Sequence, residues 1–85
     1  MGRSRRCKPL KLAGKLQTIR VSRLRLSQTE MAKALDLEVH YTAVSHFELG
    51  TREPSLLVLL KYARLAGISM EVLVDDKLDL PRSLE

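Results

Sequence analysis

The sequence predicts an all-α fold, a compact bundle of five short helices ending in a short extended tail. Three observations carry this. Apolar residues recur at spacings of three and four, the period of one helix face. Ser27, Ser55 and Ser69 each stand directly before such a run, where a serine side chain caps the first turn. The apolar residues are mostly Leu, Val, Ile, Met and Ala, with two tyrosines, one phenylalanine and no tryptophan in 85 residues. That composition suits packed helices better than aromatic-rich sheets.

In order along the chain, residues 1–9 lack apolar periodicity and are expected to form a flexible basic arm. Pro9 stands where a helix can begin, because the N–H it lacks would be unpaired in the first turn anyway. Leu12, Leu16 and Ile19 then mark a helix over 11–22, with Gly14 inside it at a cost of about 1 kcal/mol relative to Ala. Ser27 and Glu30 form the S-x-x-E capping box of a second helix over 28–35, whose inner face is Met31, Ala32 and Leu35. Residues 36–39 read as turn. A third helix begins near His40 to Thr42 and ends at Gly50, a favourable residue just past a helix C-terminus. Its inner residues are Val44 and Phe47. Pro54 and Ser55 start the fourth helix, with Leu56, Leu59, Leu60 and Ala63 as its buried stripe and Gly67 as its stop. Ser69 caps a last helix over 70–74. Beyond it Leu78 and Leu80 alternate with acids, as in an edge strand or an extended tail. The domain is expected to span 10–76 and the tail 77–85.

A chain this size buries only about 60% of its unfolded surface, so its stability is modest and dimerisation is a common remedy. The net charge is +5, and its distribution is more telling. Residues 1–25 hold Arg3, Arg5, Arg6, Lys8, Lys11, Lys15, Arg20, Arg23 and Arg25 with no acid. Residues 67–85 hold Glu71, Asp75, Asp76, Asp79 and Glu85 against Lys77 and Arg82. Such polarity suits a protein that meets a polyanion on one side. The single cysteine, Cys7, allows no intrachain disulfide, and His40 and His46 lie too far along the chain to join it at a metal. The two histidines, six residues apart, do not share a helical face, so no metal and no cofactor is expected. The longest apolar run, 56–60, is far short of the ~20 residues that span a bilayer. No secretory signal is evident, and a cytoplasmic, nucleoid-associated protein of a bacterium or phage is expected. No catalytic triad, metal site or phosphate loop is present, so an enzyme is not expected.

The stretch 27–50, SQTEMAKALDLEVHYTAVSHFELG, together with TREPS and LLVLLKYARLAGISMEVLV after it, resembles the helix-turn-helix family of phage lambda-type repressors, Cro and Xre-like bacterial regulators. The resemblance covers about residues 12–74. LSQ, an Ala four residues after the Gln, the ELG at the end of the third helix and the downstream PS recur together in that family. It implies sequence-specific binding of double-stranded DNA by a small transcriptional regulator, expected to be a repressor, with a recognition helix at about 41–49 in the major groove. Two departures bear on how that helix is aimed. The turn at 36–39 is about two residues longer than the family's and lacks glycine, so the phage proteins' tight turn is not expected. The connection between the first two helices also looks one residue longer, which bears on the position matched by Arg20.

By position, the resemblance implies that Ser27 and Gln28 anchor the backbone at the start of the second helix. His40, Tyr41, Thr42, Ser45 and His46 match the reading face, and Thr51 and Arg52 clamp phosphate after it. Arg3, Arg5 and Arg6 would enter an adjacent minor groove or track phosphates. Arg20 and Glu48 match a structural ion pair between the first and third helices. The small Ala32 lets the second and third helices approach. A homodimer is expected, its contact formed by Met70, Leu73, Leu78 and Leu80, the apolar residues left over once a small core is filled. Two other readings keep the fold: an antitoxin that binds a toxin as well as DNA, and an adaptor that binds protein without DNA.

Overall fold

The computed structural model describes residues 11–36 and 39–81. The arm at 1–9, with Arg3, Arg5, Arg6 and Cys7, the turn residues 37–38 and the end of the tail at 82–85 lie outside the described residues. Five α-helices follow in chain order, with no strand among the described residues: α1 Leu12–Thr18, α2 Gln28–Leu35, α3 Tyr41–Leu49, α4 Leu56–Ala66 and α5 Met70–Val74.

Leu12, Leu16 and Ile19 bury one face of the first helix, as their spacing predicts. The helix expected over 11–22 does not stay α-helical, however. After Thr18 it widens into a π-helix, Ile19–Leu24, and closes at Arg25, whose φ of 56° is left-handed. The carbonyl of Arg20 accepts the N–H of Arg25 and, at 3.0 Å, that of Leu26. A π turn holds one more residue than a tight one. Much of the connection expected at 23–26 is therefore helical, since the π-helix runs to Leu24.

Helix α2 has the bounds its capping box specifies. Ser27 Oγ accepts Glu30 N–H at 3.1 Å, and Glu30 Oε1 accepts Ser27 N–H at 2.8 Å. The turn after it does have a left-handed residue despite the missing glycine. Asp36 adopts φ 49°, ψ 42°, a conformation that Asp tolerates better than most residues. Helix α3 buries Ala43, Val44 and Phe47 against α1 and α2. At its end Gly50 turns left-handed at φ 78°, and Thr51 N–H returns to the His46 carbonyl at 3.1 Å.

Helix α4 is rotated from the expected stripe. Val58, Leu59, Tyr62, Ala63 and Ala66 are buried, Leu60 is half-buried, and Leu56 is exposed. Five consecutive apolar residues, 56–60, give a hydrophobic pattern no preferred phase. What decides is volume: Tyr62 fills the centre, fully enclosed, among the largest buried side chains. Its hydroxyl has no hydrogen-bond partner among the described residues. Burial, with the nearby Glu48 carboxylate, raises its pKa above the ordinary phenol value. The sign follows: the unfolded phenol ionises from about pH 10 while the folded one resists, so stability falls as pH rises past 10. Tyr62→Phe removes an unpaired buried hydroxyl and is expected to be neutral or stabilising by up to about 1 kcal/mol at neutral pH. It should also flatten the alkaline loss. Urea melts of both proteins at neutral pH and above pH 10 check this; a loss of 2 kcal/mol or more in the Phe variant would mean the hydroxyl is satisfied.

The tail is bound to α1, and by a side chain that composition alone assigns to solvent. Lys15 is 6% exposed, and its Nζ donates to the carbonyls of Val72, Asp75 and Leu78 at 2.7, 2.9 and 2.7 Å. Lys11 adds a backbone bond to Asp76 at 3.0 Å and an ion pair with Asp79 at 3.3 Å. Leu80 packs against the core from this tail, whose described residues, 77–81, form no strand. No described helix is long and apolar enough to cross a membrane.

Candidate nucleic-acid interface

Ala43, Val44 and Phe47 of α3 are committed to the core and Glu48 is turned inward, which leaves one stripe of the helix facing away. Tyr41, Thr42 and His46 are exposed, Tyr41 by half, and Ser45 is half-buried beside them. Leu49, four residues past Ser45 and seven past Thr42, extends the same outward stripe and is 70% exposed. Sequence reasoning passed over it, although its spacing from Thr42 places it on that stripe.

His40 is the N-cap residue of α3. Its ring packs on Tyr41 with centroids 5.0 Å apart, and its Nδ1 lies 3.3 Å from the Thr42 hydroxyl. His40 and Thr42 also border a groove of about 510 Å³ between the starts of α3 and α4, and Arg52 and Ser55 line the same groove. The structure therefore brings Arg52, from the loop, beside the first turn of α3. Thr51 is exposed, and its hydroxyl donates to the His46 carbonyl at 3.4 Å, closing the helix end.

What holds α3 at its angle is a polar node at Glu48. Arg20 Nε donates to Glu48 Oε2 at 2.6 Å and Arg20 Nη2 to Oε1 at 3.0 Å, a two-pronged pair. The side chains are 13% and 4% exposed. The hydrogen bonds that Arg20 donates to Glu48 raise the Arg20 pKa, against a smaller opposing effect of burial. Arg20 also donates from Nη1 to the Leu26 carbonyl at 2.9 Å, so one guanidinium ties the π-helical turn, the start of α2 and the end of α3 together.

Gln28 joins this node. Its Nε2 donates to Glu48 Oε1 at 3.2 Å, and the side chain is half-buried. Gln28 is thus oriented by α3, with one amide proton engaged and its amide oxygen uncommitted to any bond in this network. Ser27, beside it, spends its hydroxyl on the capping box.

The residues expected to form a dimer contact are not together on the surface. Leu73 is fully buried in the monomer core and has nothing to offer a partner. Met70 and Leu80 are half-buried and pack on that core, leaving only Leu78, at 38%, exposed. The physical reason is that α5 is short and spends its apolar side chains on the small core, Leu73 within it and Met70 and Val74 packed against it. The large exposed apolar residues lie elsewhere, most of all Leu56, Leu57 and Leu49.

A family model described as helix-turn-helix, of Cro/C1 type, matches residues 16–73, more than half of the chain. No curated protein and no solved structure gives a significant match.

Proposed function

The chain belongs to the helix-turn-helix family of Cro/C1 type, a family of DNA-binding transcription regulators, and on that footing we propose that it is a repressor that sets α3 in the major groove of double-stranded DNA. One observation carries the reading: α3 gives Ala43, Val44 and Phe47 to the core and turns Tyr41, Thr42, Ser45 and His46 outward. A helix fits the major groove, where each base pair shows its own pattern of donors, acceptors and methyl groups. Hydroxyls and imidazoles on this stripe read base edges, partly through water. Gln28 and the first turn of α2 meet the phosphates on one side, and Thr51 and Arg52 meet them on the other. Repression follows from occupancy, because a protein seated across a promoter excludes whatever else must bind there.

Titrating a DNA duplex at several salt concentrations separates the roles. Arg52→Ala is expected to weaken binding to all sequences alike and to lower the salt slope by about 1. An unchanged slope removes Arg52 from the interface. Ser45→Ala is expected to alter the preferred sequence while sparing non-specific affinity. Failure of the unaltered protein to bind duplex DNA in a salt-dependent manner would overturn the proposal.

A further inference from the structure

Arginines stand at 20, 23 and 25, before any acid has appeared in the chain, and the fold gives each a different setting. Arg20 is structural, paired with Glu48 and bonded to the Leu26 carbonyl. Arg23 lies over the C-terminal end of α4, its Nη2 3.9 Å from where a side chain on Gly67 would begin. A cation is favoured there, because the last carbonyls of a helix carry partial negative charge. Arg25 has no such setting. It is exposed, and among the described residues no hydrogen bond or ion pair holds its guanidinium. Glu30, the next acid along the chain, gives its carboxylate to the Ser27 N–H.

The Arg25 backbone, by contrast, is firmly held. It closes the π-helix at φ 56°, ψ 46°, a left-handed conformation that disfavours a residue with a Cβ and suits glycine. The Arg20 carbonyl accepts the N–H groups of both Arg25 and Leu26, and the Arg20 guanidinium holds the Leu26 carbonyl. A pinned left-handed corner two residues before the N-cap Ser27 thus carries an arginine where glycine would fit better.

We propose that Arg25 is a further phosphate-binding residue, its guanidinium engaging the DNA backbone beside the first turn of α2, in addition to the contacts of Gln28, Thr51 and Arg52. The chemistry argues for that ligand. A guanidinium without a protein acceptor offers paired, planar donors that match the oxygens of a phosphate. The N–H groups of the first turn of α2 favour the same anion. A corner already pinned by its neighbours presents the charge with little further loss of backbone freedom. The contact adds affinity and register but no sequence information, since every nucleotide carries the same phosphate. The inference rests on the DNA-binding reading and extends its footprint back from α2 to the end of the π-helix.

Salt titrations of the full chain on one duplex of arbitrary sequence, with thermal melts alongside, test it. Arg25→Gly removes the cation and suits the corner, so stability and DNA affinity are expected to move in opposite directions. The melting temperature should rise by roughly 4 °C. Binding at about 0.1 M salt should weaken roughly eightfold, and the salt slope should fall by about 0.9. Arg25→Lys keeps a charge and should keep most of the slope. Arg25→Gly combined with Arg52→Ala should lower the slope by about 1.8, as two separate phosphates require. An unchanged slope in Arg25→Gly, beside an unaltered protein that binds the duplex, overturns the proposal and leaves the DNA-binding reading standing. So does an Arg25→Gly protein that loses stability together with affinity, which would make Arg25 part of the scaffold. An unaltered protein without salt-dependent binding overturns both.

Discussion

Glu48→Ala is expected to destabilise the protein by about 3–5 kcal/mol, the range for removing one partner of a buried ion pair. At about 4–8 °C per kcal/mol for a domain of this size, the melting temperature should fall by well over 10 °C. Loss of attraction is the smaller part of the effect. The larger part is the Arg20 guanidinium, 13% exposed and left with the Leu26 carbonyl as its acceptor. A double variant, Arg20→Met with Glu48→Leu, removes both charges and is expected to recover most of the loss, because hydrophobic replacements of a buried pair are often neutral or better. Thermal melts of the two single variants and the double variant form a cycle that measures the coupling. A loss below about 1 kcal/mol for Glu48→Ala would mean the pair behaves like a surface bridge, and Glu48 would not be what mounts α3. Glu48→Ala also removes the acceptor of Gln28 Nε2, so DNA affinity should fall by more than the unfolded fraction accounts for.

Lys15→Met is expected to cost about 3 kcal/mol and to release the tail. Hydrogen bonds from a charged donor contribute about 1.5–3 kcal/mol each, but three on one ammonium share their geometry and do not add fully. The methionine fills the same volume, so the loss reports the ammonium and not a cavity. Lys15→Arg is not expected to rescue, since a planar guanidinium does not point its donors at three carbonyls the way a compact ammonium does. Hydrogen exchange and limited proteolysis over 72–81 read the release directly. Unchanged protection there, with stability altered by less than about 0.5 kcal/mol, would remove Lys15 from its place as the tether.

The parts of the fold written in local signals could be read from the sequence, and the parts decided by tertiary competition could not. The capping box at Ser27 and Glu30, the serine caps at Ser55 and Ser69, and Gly50 act within one helical turn, so the bounds of α2, α3 and α5 follow from neighbouring residues. The π-helical turn at Ile19–Leu24 has no such local signal, and the bond that ties it to the rest of the fold, Arg20 to Glu48, joins residues 28 positions apart. The phase of α4 was unreadable because 56–60 is apolar throughout. Lys15 looks like one of many cations in a basic segment until the end of α5 arrives, 57 residues later, with carbonyls that lack partners. For the interface, the outward stripe of α3 was readable because its inner residues were. The engagement of Gln28 by Glu48 was not, since it joins two helices 20 residues apart.

The central claim is that α3 reads DNA sequence, and in vitro selection from a random duplex pool tests it most directly. Enrichment of two related half-sites in inverted orientation, with centres about one helical turn or 34 Å apart, is the expected result, with the preferred bases changing in Ser45→Ala. A pool that remains random after repeated rounds, at low salt and with folded protein, would contradict it.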